Sequence, residues 1–449
     1  MAAMATASTG LRVPWSHSVP SRRHSLRITA SVPTCARFVA SRVTRLRTAA
    51  KSAAAAKSKD DAQDYEFDFE DDGSYDDDDE DGGWTEDGEL TVAELNAIND
   101  ARSDENANDT YFDSYAHIGI HREMIGDEAR TGAYLKAIEG HSEFLKGKVV
   151  LDVGCGTGIL SMFAARAGAK KVYAVDASGI TRHAKRLVTE NGFEDKIEIV
   201  KARMEQVTVE DIPEKVDVIV SEWMGYALFF ESMLPSVVDA RDRFLAKDGL
   251  VLPNVSDVRV ALLSDQKRYD DGIKFWTDVY GFDFSSLQAQ TKRDWSTDPP
   301  VATVNSDCIV SRPEGELVVS VDCASVPLAD LYQPMSGEVV LEVVSDKETT
   351  VHGLCLWFDV DFYGKSTLST SPFENKTHWY QTVLMFDDCL EMNAGDKIVA
   401  SIELEPGSDP GAKRQLNIYA NYDIVRSGDD VDTEKNRDDR EFFNQWTVQ

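Results

Sequence analysis

The sequence predicts an α/β domain with a doubly wound, mostly parallel sheet, followed by an antiparallel β domain interrupted by a helical arm. Two observations predict the first half. Residues 149–253 alternate short continuous apolar runs with stretches of helical period, and a glycine-rich turn joins the first such run to the first helix. One observation predicts the second half: after Pro253 the chain breaks into short β-branched runs separated by turn residues.

In chain order, residues 1–59 hold eight Arg, three Lys and no acidic residue, with Ser, Ala and Thr filling most of the rest. That composition reads as an organellar transit peptide (chloroplast or mitochondrion), with a disordered basic extension or a gene-model artefact as the alternatives. Residues 60–109 reverse the sign. "DYEFDFEDDGSYDDDDEDGGWTEDGE" is almost all acid, so self-repulsion predicts a disordered linker, or a docking strip for an Arg-rich substrate. Ordered chain is expected to begin between Leu90 and Asp109, with a short helix at Glu94–Asp100. "DTYFDSYAHIGIHREMIGDEARTGAYLKAI" then predicts two short helices.

Residues 110–253 carry the parallel sheet. "KVVLDVG" and "KVYAVDA" read as buried strands, "GILSMFAARAG" and "GITRHAKRLVTENG" as helices, and "KIEIVKA", "VDVIVSEWM" and "GLVLPN" as further strands. Residues 254–449 carry "DVRVALL", "GELVVSV", "GEVVLEVV", "VHGLCLWFDVDF", "KIVASIELE" and "QLNIYANYDIV", an antiparallel sandwich or barrel. The insert "KRYDDGIKFWTDVYGFDFSSL" reads as helical, with Phe275, Trp276, Val279, Tyr280, Phe282 and Phe284 largely on one side.

Composition excludes several classes. The formal net charge of -32 disfavours direct contact with nucleic acid and favours a basic polypeptide partner. No run of about eighteen apolar residues is present, so no transmembrane helix is expected. The six cysteines are widely spaced, with no C-x-x-C pair and no Cys/His cluster of zinc-finger spacing; free thiols and no metal are expected.

The chemistry concentrates in two places. "LDVGCGTGIL" has glycines at 154, 156 and 158, where a backbone passes close to a ligand. Ile159 stands where a dinucleotide fingerprint needs its last glycine, which weakens a nicotinamide reading. Asp176 ends the next strand, twenty-two positions after Gly154, the usual place for a carboxylate gripping ribose hydroxyls. Asp152 is a candidate anchor for the amino-acid end of a ligand, and Glu205 lies where an adenine edge would come. The second place is "SEWMGYALFFE". Glu222 and Glu231 stand nine positions apart among apolar side chains, with no basic residue between them. Two carboxylates in such surroundings await a cation.

"YFDSYAHIGIHREM", "VLDVGCGTGIL", "SEWMGYALFFESML", "VYGFD" and "THWYQTV" resemble, in order and spacing, the motifs of type I protein arginine N-methyltransferases, over about three quarters of the chain from Tyr111. The resemblance implies a Rossmann-like S-adenosylmethionine-binding domain, a β-barrel, and a dimerisation arm at about 265–295 that docks on a second copy. It implies methylation of protein arginines to monomethyl- and asymmetric dimethylarginine. Gly/Arg-rich proteins are the expected substrates, with histones and RNA-binding proteins as candidate classes, and cytoplasm and nucleus the expected location. His121, Arg130, Gly154, Asp176 and Glu205 would hold the cofactor, Arg130 through the cofactor's carboxylate. Glu222 and Glu231 would clamp the substrate guanidinium. His378 and Asp127 would form a dyad, and either the dyad or Glu231 would accept the proton. Tyr111 and Tyr115 would close over the site, Met124 and Met233 would leave room for asymmetric dimethylation, and Trp379 would complete the substrate pocket. Asp176 and "DCASVPLADL" look closest to the branch whose animal members carry an N-terminal zinc finger, although no finger is visible here. A methyltransferase for small molecules or nucleic acid, and an inactive scaffold, are the competing readings.

Overall fold

The computed structural model describes residues 111–346, 348–407, 414–428 and 442–448 of the 449-residue chain. The basic segment, the acidic stretch and the helix expected at Glu94–Asp100 lie outside the described residues. A helical turn at 111–114 leads into α1 (Ile118–Gly126) and α2 (Glu128–Gly140), which is followed by the single turn α3 (Ser142–Leu145). Asp127 separates the first two and caps α2, its side chain accepting from the Arg130 amide at 2.9 Å. The buried face of α2 is Arg130, Ala133, Tyr134, Ala137 and Ile138, the i, i+3, i+4 spacing of a helix laid on a core.

The α/β domain runs β1 (Val149–Val153), α4 (Ile159–Arg166), β2 (Lys171–Asp176), α5 (Thr181–Glu190), β3 (Ile197–Lys201), β4 (Val216–Ser221), α6 (Leu234–Phe244) and β5 (Leu245–Leu252). Its strand order is β3-β2-β1-β4-β5 and every pairing is parallel. All five residues of β1 are buried, which is why it reads as one apolar run. The order reverses direction at β1, which lies between β2 and β4. In open α/β sheets that reversal opens a crevice at the carboxyl ends of the strands.

The second domain contains β6 (Val255–Leu263), α7 (Gln266–Gly272), α8 (Gln288–Thr297), β7 (Val301–Ala302), β8 (Glu316–Asp322), β9 (Met335–Glu342), β10 (Thr349–Asp361), β11 (Thr367–Ser369), β12 (Gln381–Met392), β13 (Lys397–Pro406), β14 (Leu416–Val425) and β15 (Phe442–Val448). One antiparallel sheet has the order β7-β12-β10-β6-β8, with β11 paired to β10; the other has the order β15-β14-β13-β9. The sheets approach at both sides, as in a barrel. A Cβ on Gly337 of β9 would lie 1.9 Å from the Val318 carbonyl of β8, and the Trp446 indole of β15 donates to Met385 O of β12 at 3.0 Å. Strand β13 alternates as expected, burying Ile398, Ala400, Ile402 and Leu404.

The arm corrects the expectation of a helical insert. Helix α7 stops at Gly272, where a Cβ would lie 2.2 Å from the Trp295 ring, and a 3-10 turn follows at Lys274–Thr277. Residues 278–284 then form a tight turn closed by reciprocal amide bonds between Val279 and Phe282. Tyr280 and Gly281 in this turn are both left-handed, with φ of 54° and 87°, which no helix accommodates. Phe275 and Trp276 therefore lie on the 3-10 turn, and Tyr280, Phe282 and Phe284 are presented on a loop. Tyr280 is 99% exposed and Phe282 69%. Among the described residues no helix is long and apolar enough to cross a membrane.

Candidate active site

The carboxyl ends of β1, β2 and β4 open onto a cavity of about 280 Å³. Its floor is the turn after β1. Gly154, Gly156 and Gly158 are all left-handed, with φ of 73°, 53° and 84°. Side chains at the first two would intrude: a Cβ on Gly154 would lie 2.4 Å from Met233 Cε, and one on Gly156 3.2 Å from the His121 ring. The glycines thus keep bare backbone against the cavity, while Gly158 sets the start of α4. Asp176, at the end of β2, fastens this turn. Its Oδ2 accepts from the Gly156 amide at 2.9 Å, and its Oδ1 accepts from the Ser178 amide and hydroxyl at 2.8 and 2.7 Å. A carboxylate offers about four acceptor positions, so one stays available to a ligand hydroxyl. Glu205, on a 3-10 turn after β3, accepts from Ser236 Oγ at the cavity's far side.

The opposite wall is the segment 222–233, folded back on itself by reciprocal amide bonds between Gly225 and Leu228 at 3.0 Å. A Cβ at Gly225 would come 2.0 Å from Phe230 O, so the turn closes only around glycine. Four non-glycine residues here are left-handed: Ala227, Leu228, Glu231 and Ser232. Such conformations cost on the order of 1–3 kcal/mol each and persist only where the surroundings impose them. The surroundings are specific. Tyr134 of α2 donates to Ser221 O at 2.8 Å, and the Trp379 indole donates to Met224 O at 2.8 Å from the β domain.

This fold brings both glutamates to the cavity and gives each a partner. The guanidinium of Arg130 reaches Glu222 Oε2 through Nε at 2.9 Å and Nη2 at 2.8 Å, and Nη1 donates to Met124 O. Both side chains of the pair are 8% exposed. The cation that meets Glu222 in this structure is therefore the protein's own Arg130, the residue expected to pair with a cofactor carboxylate. Glu222 Oε1 accepts from the Met224 amide at 3.2 Å. Glu231 Oε2 accepts from the hydroxyls of Tyr111 and Tyr115 at 3.0 and 2.9 Å. Burial pushes the Glu231 carboxyl above the usual carboxylate range; the two tyrosine bonds and Arg414 pull it down, and Glu222 pushes it up. Burial, together with neighbouring Glu231, raises both tyrosine hydroxyls, so they remain donors.

His378 lies at the mouth. Its amide and its Nδ1 both meet Asp127 Oδ2, at 2.9 and 2.8 Å. Burial alone would raise the Asp127 carboxyl, but the bonds from His378 and from the Arg130 and His378 amides outweigh it and hold the group below its ordinary value. His121 meets Tyr115 O through Nε2 at 2.8 Å and faces the cavity beside Gly156.

Tyr111, Tyr115, His121, Met124, Arg130, Gly154, Gly156, Asp176, Glu205, Glu222, Glu231, Met233, His378 and Trp379 all line the cavity. Asp152, Gly158 and Asp127 do not. Asp152 is fully buried, with Oδ2 accepting from Ser161 Oγ at 2.6 Å. Its Oδ1 has no partner among the described residues, and burial pushes its carboxyl up to about 7. Its contact is with α4 and not with the cavity, so a direct ligand anchor is not what the structure provides. Sequence reasoning missed Arg414, which enters from the loop before β14 and lines the same cavity. It stands in no motif, and no local pattern marks it.

The bare glycine turn, the strand-terminal Asp176 and the enclosed volume fit a nucleoside carrying an amino-acid tail. Comparison with known proteins agrees. Residues 255–427 match the arginine methyltransferase oligomerization subdomain, and residues 125–249 match the family of the ribosomal protein L11 methyltransferase PrmA. The chain is 41% identical over 336 residues to the probable protein arginine N-methyltransferase 6.1 of Oryza sativa subsp. japonica, covering 69% of this chain and 83% of that protein. It is 42% identical over 320 residues to protein arginine N-methyltransferase 1 of Schizosaccharomyces pombe, covering 70% and 90%. Among solved structures it resembles the Trypanosoma brucei PRMT1 enzyme-prozyme heterotetrameric complex with AdoHcy, with a TM-score of 0.66 and 36% identity, covering 75% of this chain and all of that one. The cofactor is S-adenosylmethionine, and the chain belongs to the type I protein arginine N-methyltransferase family.

Proposed function

We propose that the enzyme methylates arginines in Gly/Arg-rich proteins, as a homodimer, with Glu222 and Glu231 clamping the substrate guanidinium. The observation that carries this reading is the pair of sheltered carboxylates on one wall of the cavity, each with one oxygen already oriented by the protein. Tyr111 and Tyr115 occupy Oε2 of Glu231, which leaves Oε1 to a substrate nitrogen. Arg130 occupies Oε2 of Glu222, which leaves Oε1 facing a single amide. An arginine side chain keeps its proton above about pH 12 and presents a planar fork of donors that suits two acceptors.

When bound, S-adenosylmethionine would supply an electrophilic methyl group on a sulfonium to a terminal guanidinium nitrogen. That nitrogen is a poor nucleophile because its lone pair is delocalised. Glu222 and Glu231 draw positive charge onto the other nitrogens and free the attacking one. They would also orient it; near-attack separations of about 3–3.5 Å can lower a barrier by several kcal/mol. Asp127 fixes His378 by two bonds, and the dyad and Glu231 are the candidate proton acceptors. His121 and the backbone at Gly154 and Gly156 would hold the methionine and ribose portions of the cofactor, Asp176 its ribose hydroxyls, and Glu205 its adenine amine. Met124 and Met233, which line the cavity, would leave room for a second methyl on the same nitrogen.

Asp176 and "DCASVPLADL" support placing the chain nearest the branch whose animal members carry a zinc finger. The exposed Phe275, Tyr280, Phe282, Phe284 and Leu287 of the arm support the homodimer. The test is mass spectrometry of Gly/Arg-rich peptides after incubation with the protein and S-adenosylmethionine. Asymmetric dimethylarginine is expected; unmodified peptides, or symmetric dimethylarginine alone, would overturn the assignment.

A further inference from the structure

Glu231 and Ser232 are consecutive left-handed residues, with φ of 73° and 52°. In this turn the Glu231 amide and carbonyl join no helix or strand. Both are satisfied by one residue of the other domain. The Glu231 amide donates to Arg414 O at 2.8 Å, and Arg414 Nη1 donates to Glu231 O at 2.7 Å. The same guanidinium lies 3.5 Å from the ring centroid of Tyr111 and 5.5 Å from that of Phe112. Tyr111 in turn donates to Glu231 Oε2. Arg414 thus grips Glu231 at its backbone and, through Tyr111, at its carboxylate. A lysine keeps the charge but lacks the plane that allows stacking and donation together.

We propose that Arg414 is a positioning residue for methyl transfer, holding Glu231 and Tyr111 in the geometry that receives the substrate guanidinium. The proposal rests on the reading of Glu231 as a substrate-clamping carboxylate. The guanidinium bonds the Glu231 carbonyl and not Oε1, so it does not occupy the place of the substrate. Five groups face the Glu231 carboxylate electrostatically: Tyr111 and Tyr115 from the N-terminal segment, Glu222 and Tyr226 from its own loop, and Arg414 from the β domain. Arg414 is the only cation among these five, so its loss leaves Glu231 harder to ionise.

The test compares Arg414→Gln and Arg414→Lys by steady-state kinetics on a synthetic Gly/Arg-rich peptide across pH, with calorimetric titration of S-adenosylhomocysteine on each protein. Misplacing a reacting group by about 1 Å costs on the order of 100-fold. Arg414→Gln is expected to lower kcat by about 10- to 100-fold, and the acid limb of the rate profile should move to higher pH. Arg414→Lys should keep the limb in place and recover only part of kcat. Wild-type kcat and limb in Arg414→Gln would overturn the proposal. So would equal losses in both variants with an unmoved limb, which is the signature of a mere structural joint. Should Arg414→Gln fail to bind the nucleoside, Arg414→Lys decides: reduced kcat with intact binding supports the role, and wild-type kcat refutes it. Glu231→Gln separates the two readings. If it turns over normally, the clamp itself is wrong; if it is inactive while Arg414→Gln is unimpaired, only the role of Arg414 fails.

Discussion

Replacing Glu222 by glutamine should cost the protein stability as well as activity, and the two losses should separate in a double mutant. Glu222 and Arg130 are both 8% exposed at the side chain, and two guanidinium nitrogens converge on one oxygen at 2.8 and 2.9 Å. Charges about 4 Å apart at an effective dielectric near 20 attract by about 4 kcal/mol. Removing one partner of a buried pair typically costs about 3–5 kcal/mol, because the other charge is left without compensation. Glutamine retains an acceptor oxygen, so about 3 kcal/mol is expected for Glu222→Gln in equilibrium urea unfolding. Removing both charges in Arg130→Gln/Glu222→Gln should return most of that stability, giving a coupling energy of about 2–3 kcal/mol. Turnover should behave differently. Both mutants should lose at least 100-fold in kcat, since a neutral amide neither attracts a guanidinium nor polarises it. Strictly additive stabilities would show that the pair is not the structural unit drawn here. Near-normal turnover in either mutant would remove Glu222 from the guanidinium site.

Three further outcomes follow from the same geometry. Glu231 must be ionised to act, so kcat/KM should fall as pH drops through its raised pKa; Tyr115→Phe deletes a bond to the charged form and should move that acid limb to higher pH, and a limb moving downward would contradict the assignment. Asp176→Ala should weaken S-adenosylhomocysteine binding by about 10- to 100-fold in calorimetry, the worth of one or two hydrogen bonds to a charged group, while the far-UV spectrum stays unchanged. Phe282→Glu on the exposed turn should shift the protein toward monomer in light scattering at low micromolar concentration; an unchanged mass would take this turn out of the dimer contact.

The parallel sheet was legible because burial on both faces writes each strand as an unbroken apolar run, as in Val149–Val153, and because glycines punctuate the turns. Helix α6 was not singled out. Its start at Leu234 and Pro235 comes three residues after the apolar "ALFF" segment, which blurs its period. Strands β12 and β15 were missed for related reasons. The last is separated from its partner β14 by a polar stretch, and Asp387, Asp388 and Glu391 interrupt the pattern of β12. The arm's aromatic residues were visible, but their helical spacing was a coincidence of sequence overruled by Gly281. In the site, charged residues within a motif were readable one by one. Beyond the His378–Asp127 contact that the resemblance implied, their pairings were not: Arg130 and Glu222 lie 92 positions apart, and nothing local marks which cation meets which carboxylate.

Those pairings explain why the chemistry needs both domains. The α/β domain alone supplies the glycine turn, Asp176 and the two glutamates. It holds the carboxylates through Arg130, Tyr111 and Tyr115, but part of the segment's backbone is bonded from outside it. Trp379 and Arg414, both from the β domain, bond that segment at Met224 and at Glu231, and His378 reaches across to Asp127 at the start of α2. Ala227 and Leu228 between the two glutamates, and Glu231 itself, are left-handed, so the segment has little intrinsic reason to keep its shape. Its geometry is a property of the domain contact. Changes at that contact, far in sequence from either glutamate, should therefore act on kcat before they act on cofactor affinity.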